Sequence, residues 1–494
     1  MPLPSVMGTE IEYGITVQGD PDFDPISSCV LLVNAYQEVD VAKILWDYDQ
    51  ESPLADARGF QVEGEKYTPN QQENIARNKT LMNGSPFYVD HAHPEYSTPE
   101  VTNVRDVIAY ERAGERTMEA ARRAATLLLP PGQTLLIHKN NSDRKGNSYG
   151  NHENFLIARR TPFKDIVTHL TPFLVTRQIF CGSGKVGSEN RATPCDYQIS
   201  QRADFFETEV ALDTMVKRPI INTRDEPHAD REKYRRLHVI VGDSNQCEVS
   251  TYLRVGVTAI VLALIEDGAI DRDMSLVDPV RRIREISQDL TCKRTYALDR
   301  GARRTAVQVQ QEYLEMALAY FSSRAVDPVT KDVLTRWESV LARLAEDPMQ
   351  LDREVDWVVK QRLIRGFMER KRVDWQHPQV SMLDLQYHDV RPDKGLYHLI
   401  ERRGEVDRIV TPEEVERALK VPPDDTRAYF RGECIRRYPE SIFGVNWDSI
   451  SFEAGDEPVK RILMNEPLKG TRRHVEQLLD DCETAAELVE ALTA

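Results

Sequence analysis

The sequence lacks paired cysteines, a long apolar run and an excess of positive charge. Its seven cysteines lie far apart, with no CxxC motif and no zinc-binding spacing, which favours reduced and mostly buried thiols. The longest apolar run, 255–265, is too short to cross a bilayer, and residues 1–8 have no signal-peptide character. The net charge of −16 argues against a general nucleic-acid or anionic-membrane binder, although a local basic site can still bind phosphates. We therefore predict a soluble cytoplasmic protein with no nucleic-acid or membrane partner.

The length of the chain predicts more than one structural unit. A chain of 494 residues favours a large domain followed by a smaller one. Helical periodicity dominates from residue 249 onward, and capping-box patterns begin at Thr411 and Thr484. We expect Pro439 to begin the smaller domain, which gives a catalytic domain at 1–438 and a C-terminal domain at 439–494.

Two glutamates share one face of the first predicted strand, residues 6–15. Because alternate residues of a strand point the same way, the carboxylates of Glu10 and Glu12 would lie about 7 Å apart and repel each other. A cation between or beside them would relieve that repulsion. An exposed edge strand is the simpler alternative, but the apolar residues that flank both glutamates favour a metal site.

The stretch 87–100 concentrates groups that can bind a metal. Its start alternates like a strand, so Tyr88 and Asp90 share a face, and a turn near Pro94 then brings in Glu95. Phenol and carboxylate oxygens suit a hard cation such as magnesium. The alternative for any one of these residues is a solvated strand end.

The region before this stretch divides into two parts. Apolar residues at helical spacing predict a helix over Val30–Trp46. Residues 50–80 are polar, contain prolines and glycines and show no sustained period, and such a stretch is usually a functional lid or a disordered insertion. Because it leads into 87–100, we predict a mobile loop beside the active site.

Two later segments place histidines beside polar groups. In the strand predicted near 149–157, His152, Glu153 and Asn154 can each bind metal or phosphate, and the ragged alternation does not decide which of His152 and Glu153 faces inward. In the strand 236–243, Arg236 and His238 share a face, which suits a site for metal and triphosphate. A satisfied core histidine is the alternative for His238. The glycine-rich 181–186 lacks the spacing of a phosphate loop.

Six ordered motifs together resemble the pupylation enzymes, a family that shares its fold with glutamine synthetase and the glutamate–cysteine ligases. The motifs are MGTEIEYG, YVDHAHPEYSTPE, YGNHENFLI, INTRDEPHA, RLHVIVGDSN and FGVNWDSI, which begin at residues 7, 88, 149, 221, 236 and 443. The resemblance implies an antiparallel sheet that forms a cradle backed by helices, with ATP and Mg²⁺ at its deep end. It also implies that Pup, a small disordered acidic protein, binds in a groove of the large domain.

The family has two branches, and the sequence resembles one of them more closely. One branch ligates Pup to lysines. The other deamidates the C-terminal glutamine of Pup to glutamate and removes Pup from pupylated proteins. Ligases of the family carry the form LDVGSHPEY where this chain has VDHAHPEY, and they lack a long insertion such as 50–80. The resemblance therefore implies the deamidase and depupylase branch, with a Pup–protein ligase as the alternative.

The resemblance also implies roles for individual residues. The implied metal ligands are Glu10, Glu12, Tyr88, Glu95, His238 and either His152 or Glu153. The implied ATP contacts are Thr98, Asn154 and Trp447, with the tryptophan near the adenine, while Arg202 and Arg224 are candidates for phosphate or for the substrate carboxamide. Pro86 replaces an arginine that many members place two residues before the tyrosine, so its ATP contact must be lost or replaced.

Asp90 is the residue on which the chemistry of the deamidase branch depends. Amide hydrolysis does not need the free energy of ATP, so Asp90 can activate water as a general base or attack the amide as a nucleophile. Attack by bound phosphate left from one ATP turnover is a third mechanism. We favour Asp90 in one of its two roles beside an ATP-derived phosphate that is held rather than consumed. A small-molecule ligase of the glutamate–cysteine type and a non-catalytic ATP-binding module are the remaining alternatives.

Overall fold

A computed structural model describes residues 6–37, 44–49, 51–63, 68–190, 192–214, 217–453 and 458–493. Its strands, in chain order, are Met7–Glu12 (β1), Gly14–Gln18 (β2), Leu45–Trp46 (β3), Ala55–Asp56 (β4), Phe60–Gln61 (β5), Asn78–Thr80 (β6), Pro86–Asp90 (β7), His93–Ser97 (β8), Thr134–His138 (β9), Asn151–Ala158 (β10), Lys185–Val186 (β11), Tyr197–Gln198 (β12), Phe206–Ala211 (β13), Arg218–Asn222 (β14), Tyr234–Val239 (β15), Thr295–Ala297 (β16), Arg303–Thr305 (β17), Ile442–Val445 (β18), Ser449–Phe452 (β19) and Lys460–Leu463 (β20).

The helices occupy most of the second half of the chain. They are Pro25–Ala35 (α1), Gln71–Arg77 (α2), Val104–Thr126 (α3), Phe163–Cys181 (α4), Glu248–Glu266 (α5), Pro279–Ser287 (α6), Ala306–Phe321 (α7), Pro328–Glu346 (α8), Asp356–Lys371 (α9), Pro378–Gln386 (α10), Leu396–Arg402 (α11), Pro412–Lys420 (α12), Ala428–Arg437 (α13), Arg472–Asp481 (α14) and Ala485–Thr493 (α15). The predicted capping boxes at Thr411 and Thr484 both form, each with a glutamate three residues later.

Six strands form one sheet in the order β15-β10-β1-β8-β7-β6, and every neighbouring pair in it is antiparallel. Strand β1 lies near the middle and alternates buried Met7, Thr9 and Ile11 with half-buried Gly8, Glu10 and Glu12. The predicted period of two is therefore confirmed for both glutamates. We call the side that carries them the open face and the other side the helix face.

The helix face packs against helices, as the resemblance implied. Asn103 caps the start of α3, because its side chain accepts a hydrogen bond from the Asp106 amide. Its Gly114 permits close approach to the sheet, because a Cβ there would lie 2.4 Å from a ring atom of Tyr96 on β8. The mixture of an antiparallel sheet and packed helices confirms the predicted α+β class.

The long apolar helix α5 lies within the core. By length and composition it could cross a membrane, but most of its residues are buried by the surrounding protein. Its apolar side chains, such as Val255 and Val261, pack in the same cluster as Phe155 and Leu237 of the sheet. All seven cysteines are free and six of them are buried, in agreement with the expectation of unpaired, mostly buried thiols.

The C-terminal region forms its own sheet, in the order β20-β19-β18-β3. The N-terminal strand β3 joins it by pairing in parallel with β18, so the helix predicted over 30–46 is wrong at its end: α1 stops at Ala35 and Leu45–Trp46 is extended. The local core also includes Tyr429 and Cys434 of α13, which precede Pro439. The domain boundary at 439 stays a prediction.

The stretch 50–80 is not structureless where the structure describes it. It contains the short hairpin β4–β5, helix α2 and strand β6. The hairpin is anchored by backbone hydrogen bonds of Ala55 and Ala57 to the segment Thr223–Asp225. Its predicted mobility stays untested, whereas its position next to the open face agrees with the expectation, since Glu51, Pro53 and Arg77 line a cavity there.

Candidate active site

The open face brings together most of the polar side chains that the sequence singled out. In the antiparallel register, Glu10 lies opposite His152 on β10 and Ser97 on β8, and Glu12 lies opposite Glu95. Neighbouring strands are about 4.8 Å apart, so groups at paired positions can share one ligand. The result is a band of carboxylate and imidazole groups across the sheet.

The first group in this band consists of Glu10, His152 and His238, which bring one ligand atom each to within 4.8 Å of one another. The Nδ1 atom of His152 lies 3.2 Å from a Glu10 oxygen, and Asn154 donates to the other oxygen at 2.8 Å. Burial alone would raise the pKa of Glu10, but the His152 hydrogen bond and nearby positive charges keep it below its usual range. Burial holds the pKa of His238 well below its usual value, which favours the neutral imidazole that binds metals.

The second group consists of Glu12, Asp90 and Glu95, one carboxylate from each of β1, β7 and β8, again within 4.8 Å of one another. Burial, together with the charges of Asp90 and Glu12, raises the pKa of Glu95 well above its usual value. None of the described cations forms an ion pair with Glu12 or Glu95. The three carboxylates repel one another, and a cation bound between them would relieve that repulsion.

Tyr88 lies beside Glu95 on the paired strand β7, and its hydroxyl is 3.3 Å from the Ser97 hydroxyl. Burial, followed by the charge of Glu95, raises the pKa of Tyr88 well above its usual value, so the phenol stays protonated. Oxygen donors of this kind fit Mg²⁺. The group around Glu10 contains two imidazoles, which suit transition metals better, so the oxygen donors make the stronger case for magnesium.

Glu153 is the one predicted metal ligand that the structure places elsewhere. It lies on the helix face and is fully buried, and both of its oxygens accept hydrogen bonds from Arg177, at 2.6 and 2.9 Å. Arg254 also donates to it at 3.3 Å. The metal role predicted for Glu153 is therefore wrong: its neighbour His152 faces the open side, and Glu153 is part of a buried ion-pair network.

A cavity at one end of the open face lies between the sheet and the C-terminal region. Gly8, Thr98, Asn154, Arg427 and Trp447 are among its lining residues. The Thr98 hydroxyl accepts a hydrogen bond from the Thr9 amide at 2.9 Å, which closes the β1 edge of the cavity. The Trp447 ring is 5.8 Å from that of Trp46 and 5.2 Å from the guanidinium of Arg431. The cavity thus offers an aromatic ring and backbone beside Glu10.

The cavity continues along the sheet towards the carboxylates. A middle section shares Glu10, Arg236 and Trp447 with the first cavity, and a far section reaches Glu95. Arg224 lines both the middle and far sections, and its buried Nε atom has no hydrogen-bond partner in the described part of the chain. The three sections form one groove with an aromatic end and an acidic end, and we call it the sheet groove.

Arginines line the sheet groove at several places. The two predicted arginines, Arg202 and Arg224, both reach it, and neither forms an ion pair with a described carboxylate. Arg236, which the sequence placed on one strand face with His238, reaches it too, whereas Arg218 was missed. Arg236 donates to the Asn154 side-chain oxygen at 2.9 Å. Arg218 begins β14, and nothing in its local sequence distinguishes it.

Asp90 lies at the end of β7, where the chain turns into β8. Its side chain is 38% exposed, so it can meet a substrate from the groove. His91, also missed, has its Nδ1 atom 2.9 Å from an Asp90 oxygen and adopts a left-handed backbone with φ of 51°. The tight turn aims both side chains into the groove. The Asp90 hydrogen bond raises the pKa of His91.

Pro86 lies on the open face of β7, in line with Tyr88, and lines the middle section of the sheet groove. Arg77 of α2, Arg224 and Arg236 line the same section. A positive charge is therefore present there even though the position itself carries a proline.

Known proteins resemble this chain over nearly its whole length. The model of the family described as Pup-ligase protein matches residues 5–451. A protein from Acidothermus cellulolyticus named depupylase is 52% identical, and one from Mycolicibacterium smegmatis named Pup deamidase/depupylase is 47% identical, each over 99% of both chains. A Pup–protein ligase from Actinosynnema mirum is 43% identical and covers 81% of this chain and 90% of its own.

Solved structures lead to the same family. A ligase named PafA in complex with the prokaryotic ubiquitin-like protein Pup superposes with a TM-score of 0.81 and 31% identity, over 99% of this chain and 91% of that one. PafA in complex with ADP gives a TM-score of 0.74 and 33% identity, over 86% and 96% of the two chains. With a family model that matches most of its residues and relatives that match it from end to end, the chain belongs to the Pup-ligase family.

Proposed function

We propose that this protein is a hydrolase of the Pup pathway. It converts the C-terminal glutamine of Pup to glutamate and cleaves the isopeptide bond between Pup and the lysines of pupylated proteins. The observation that carries the proposal is the placement of Asp90, at the groove end of β7 and within ligand distance of Glu12 and Glu95. Relatives named depupylase and Pup deamidase, which match this chain from end to end, support it.

The nucleotide and metal sites follow from the donors along the groove. The aromatic end, with Thr98, Asn154 and Trp447, suits ATP, and a relative in the same family is known in complex with ADP. Glu12, Tyr88 and Glu95 suit Mg²⁺, with Glu10, His152 and His238 beside them. Bound there, the metal and the nucleotide phosphates would supply positive charge and phosphoryl oxygens next to the scissile amide.

Asp90 can carry out both the proton transfer and the attack on the amide carbon, in one of two ways. As a general base, Asp90 takes a proton from water while the water oxygen attacks the amide carbon. Asp90 then returns this proton to the nitrogen as the C–N bond breaks, and the nitrogen departs as ammonia or as the lysine amine. As a nucleophile, an Asp90 oxygen attacks the amide carbon, the C–N bond breaks and the nitrogen leaves with a proton from water. The resulting anhydride is hydrolysed by water, which restores the Asp90 carboxylate. His91 holds the Asp90 carboxylate in either case. We favour a nucleotide that is held and not consumed, and ATP hydrolysis in step with amide cleavage would count against this.

The rival activity is that of a Pup–protein ligase. It is supported by the ligase structures that superpose on this chain, since both belong to the same family. The end-to-end match to depupylases favours the hydrolase, because the ligase relative covers 81% of this chain. ATP-dependent attachment of glutamate-ended Pup to a lysine-bearing protein, without deamidation, would establish the rival.

The proposal places the protein in the cytoplasm with Pup and pupylated proteins as its partners. Seven free cysteines suit a reducing compartment. The arginines of the groove provide local positive charge for an acidic partner in a chain whose net charge is −16.

The proposal is tested with purified protein, Mg²⁺, ATP and Pup that ends in glutamine. Mass spectrometry should detect conversion of the terminal carboxamide to a carboxylate. Asp90→Asn should lower kcat by about 10²- to 10⁴-fold, while Asp271→Asn, at an exposed site far along the chain, should not. Absence of conversion by the wild-type protein would refute the proposed hydrolase.

A further inference from the structure

Arg202 and Arg218 lie next to each other in the far section of the sheet groove, which Trp447 does not reach. Both donate to Ser148: the Nε atom of Arg202 donates to its hydroxyl at 3.1 Å, and Arg218 donates to its carbonyl at 2.7 Å. Two guanidinium groups are thus held at a single residue, beside the acidic group that contains Glu12 and Asp90.

Neither arginine forms an ion pair with a carboxylate in the described ranges of the chain, although the charge of Glu12 acts on both. Arg202 also donates to the Ile240 carbonyl at 2.6 Å. Arg202 is only 2% exposed, and burial, followed by the charge of Arg218, lowers its pKa to about 10. Burial also lowers the pKa of Arg218. Two adjacent like charges, one of them buried, are unfavourable unless an anion joins them. The pair is therefore arranged for a ligand with a negative charge.

The backbone that carries Arg202 is fixed before any ligand binds. Asp243 accepts three hydrogen bonds of 2.8 Å, from the amides of Ser183 and Gln201 and from the Ser200 hydroxyl. The same hydroxyl accepts a hydrogen bond from the Arg202 amide at 3.0 Å. A preformed position reduces the entropy lost when a ligand is bound.

We propose that Arg202 and Arg218 bind the free α-carboxylate of the C-terminal residue whose side-chain amide is cleaved. This inference rests on the proposed function. That carboxylate is free both when Pup ends in glutamine and when the last residue of Pup is joined through its side chain to a lysine, so one clamp serves both reactions. A glutamine inside a chain has no such group, and the clamp therefore restricts the enzyme to the last residue.

The other oxyanion in this groove is a phosphate of the nucleotide. Arg224 and Arg236 are better placed for it, because both line the middle section that Trp447 also lines. Arg202 and Arg218 line the far section, where Asn147 and Ser148 are their neighbours. Guanidinium groups bind carboxylates and phosphates alike, so an experiment has to separate the two ligands.

The first arm of the test changes the substrate and leaves the enzyme intact. Two forms of glutamine-ended Pup are compared, one with the natural α-carboxylate and one with an α-carboxamide, and tandem mass spectrometry locates the deamidated group. We expect kcat/KM for the carboxylate form to be higher by about 10- to 100-fold, mainly through KM. Equal kcat/KM values on the wild-type protein would overturn the inference while leaving the proposed function intact.

The second arm changes the enzyme. In Arg218→Gln, the ratio of kcat/KM for the carboxylate form to kcat/KM for the carboxamide form should fall towards one. Arg218→Lys keeps the charge but loses the two-pronged guanidinium, so it should retain part of the preference. Arg281→Ala removes an exposed arginine of α6 and should keep the full preference. Melting temperatures identify any variant that has lost its fold.

ATP binding separates the two anions. If Arg218→Gln weakens ATP binding and lowers kcat/KM for both Pup forms equally, the pair binds phosphate and the inference fails. If neither Pup form is deamidated by the wild-type protein, the proposed function fails and this inference fails with it.

Discussion

The two faces of the central sheet differ in whether their charged side chains are paired. On the helix face, Glu153 is fully buried and paired with Arg177 and Arg254. On the open face, Glu12 and Glu95 lie together, and neither they nor Arg202 form an ion pair in the described part of the chain. Strand β10 contributes to both faces through the consecutive residues His152 and Glu153. Paired charges stabilise the fold, whereas charges left unpaired mark the places where ligands complete the site.

The largest expected effect lies on the helix face. Glu153→Gln removes the carboxylate that balances two buried arginines, and breaking a buried pair in this way lowers the free energy of unfolding by about 3–5 kcal/mol. Chemical denaturation monitored by circular dichroism measures the change. A variant as stable as the wild type would contradict the assignment of Glu153 to the fold.

The next effect concerns the aromatic end of the groove. If Trp447 contacts the adenine, Trp447→Ala should weaken ADP binding by about 1–3 kcal/mol, and Trp447→Phe should recover part of the loss. Calorimetric titration with ADP gives both values. Equal affinity of all three proteins for ADP would show that the adenine binds elsewhere in the groove.

The smallest effect is a pH dependence of the metal-free protein. Burial raises the pKa of Glu95 in the folded state well above 4.5, so the folded protein binds more protons than the unfolded chain in this window. The contribution of Glu95 to stability should therefore be present at low pH and be lost as the pH rises from about 4.5 through the raised pKa. Because Mg²⁺ replaces the proton, this loss should shrink when the metal is added.

Glu95→Gln serves as the control for that profile. It removes the titrating group, so the difference between its profile and that of the wild type isolates the contribution of Glu95. Superimposable profiles would show that Glu95 does not titrate in the folded protein in this window.

Local sequence pattern predicted the parts of the site that depend on strand alternation. Glu10 and Glu12 share a face of β1, and Tyr88 and Asp90 share a face of β7, as a period of two requires. The same rule failed to choose between His152 and Glu153 because the first four residues of β10, 151–154, are all polar. The partners of Glu153 come from α4 and α5, which are distant in sequence, so no local signal identifies the buried network.

Long-range pairing accounts for the other errors. Leu45 and Trp46 are apolar at a spacing that fits a helix, yet they are extended because β18, about 400 residues later, offers a parallel partner. The hairpin in 50–80 owes its order to the segment Thr223–Asp225. Arg218 lines the groove from the start of β14, a strand that pairs with β13 and lies outside the six-stranded sheet. Tertiary contacts of this kind override local propensity and cannot be read from a single segment.

The most direct test of this account compares Mg²⁺ binding by three proteins in calorimetric titrations: the wild type, Glu95→Gln and Glu153→Gln. We predict that Glu95→Gln binds Mg²⁺ at least about tenfold more weakly, and that folded Glu153→Gln binds it as the wild type does. If Glu153→Gln loses the metal while Glu95→Gln keeps it, the open face is not the metal site, and the contrast between the two faces is wrong.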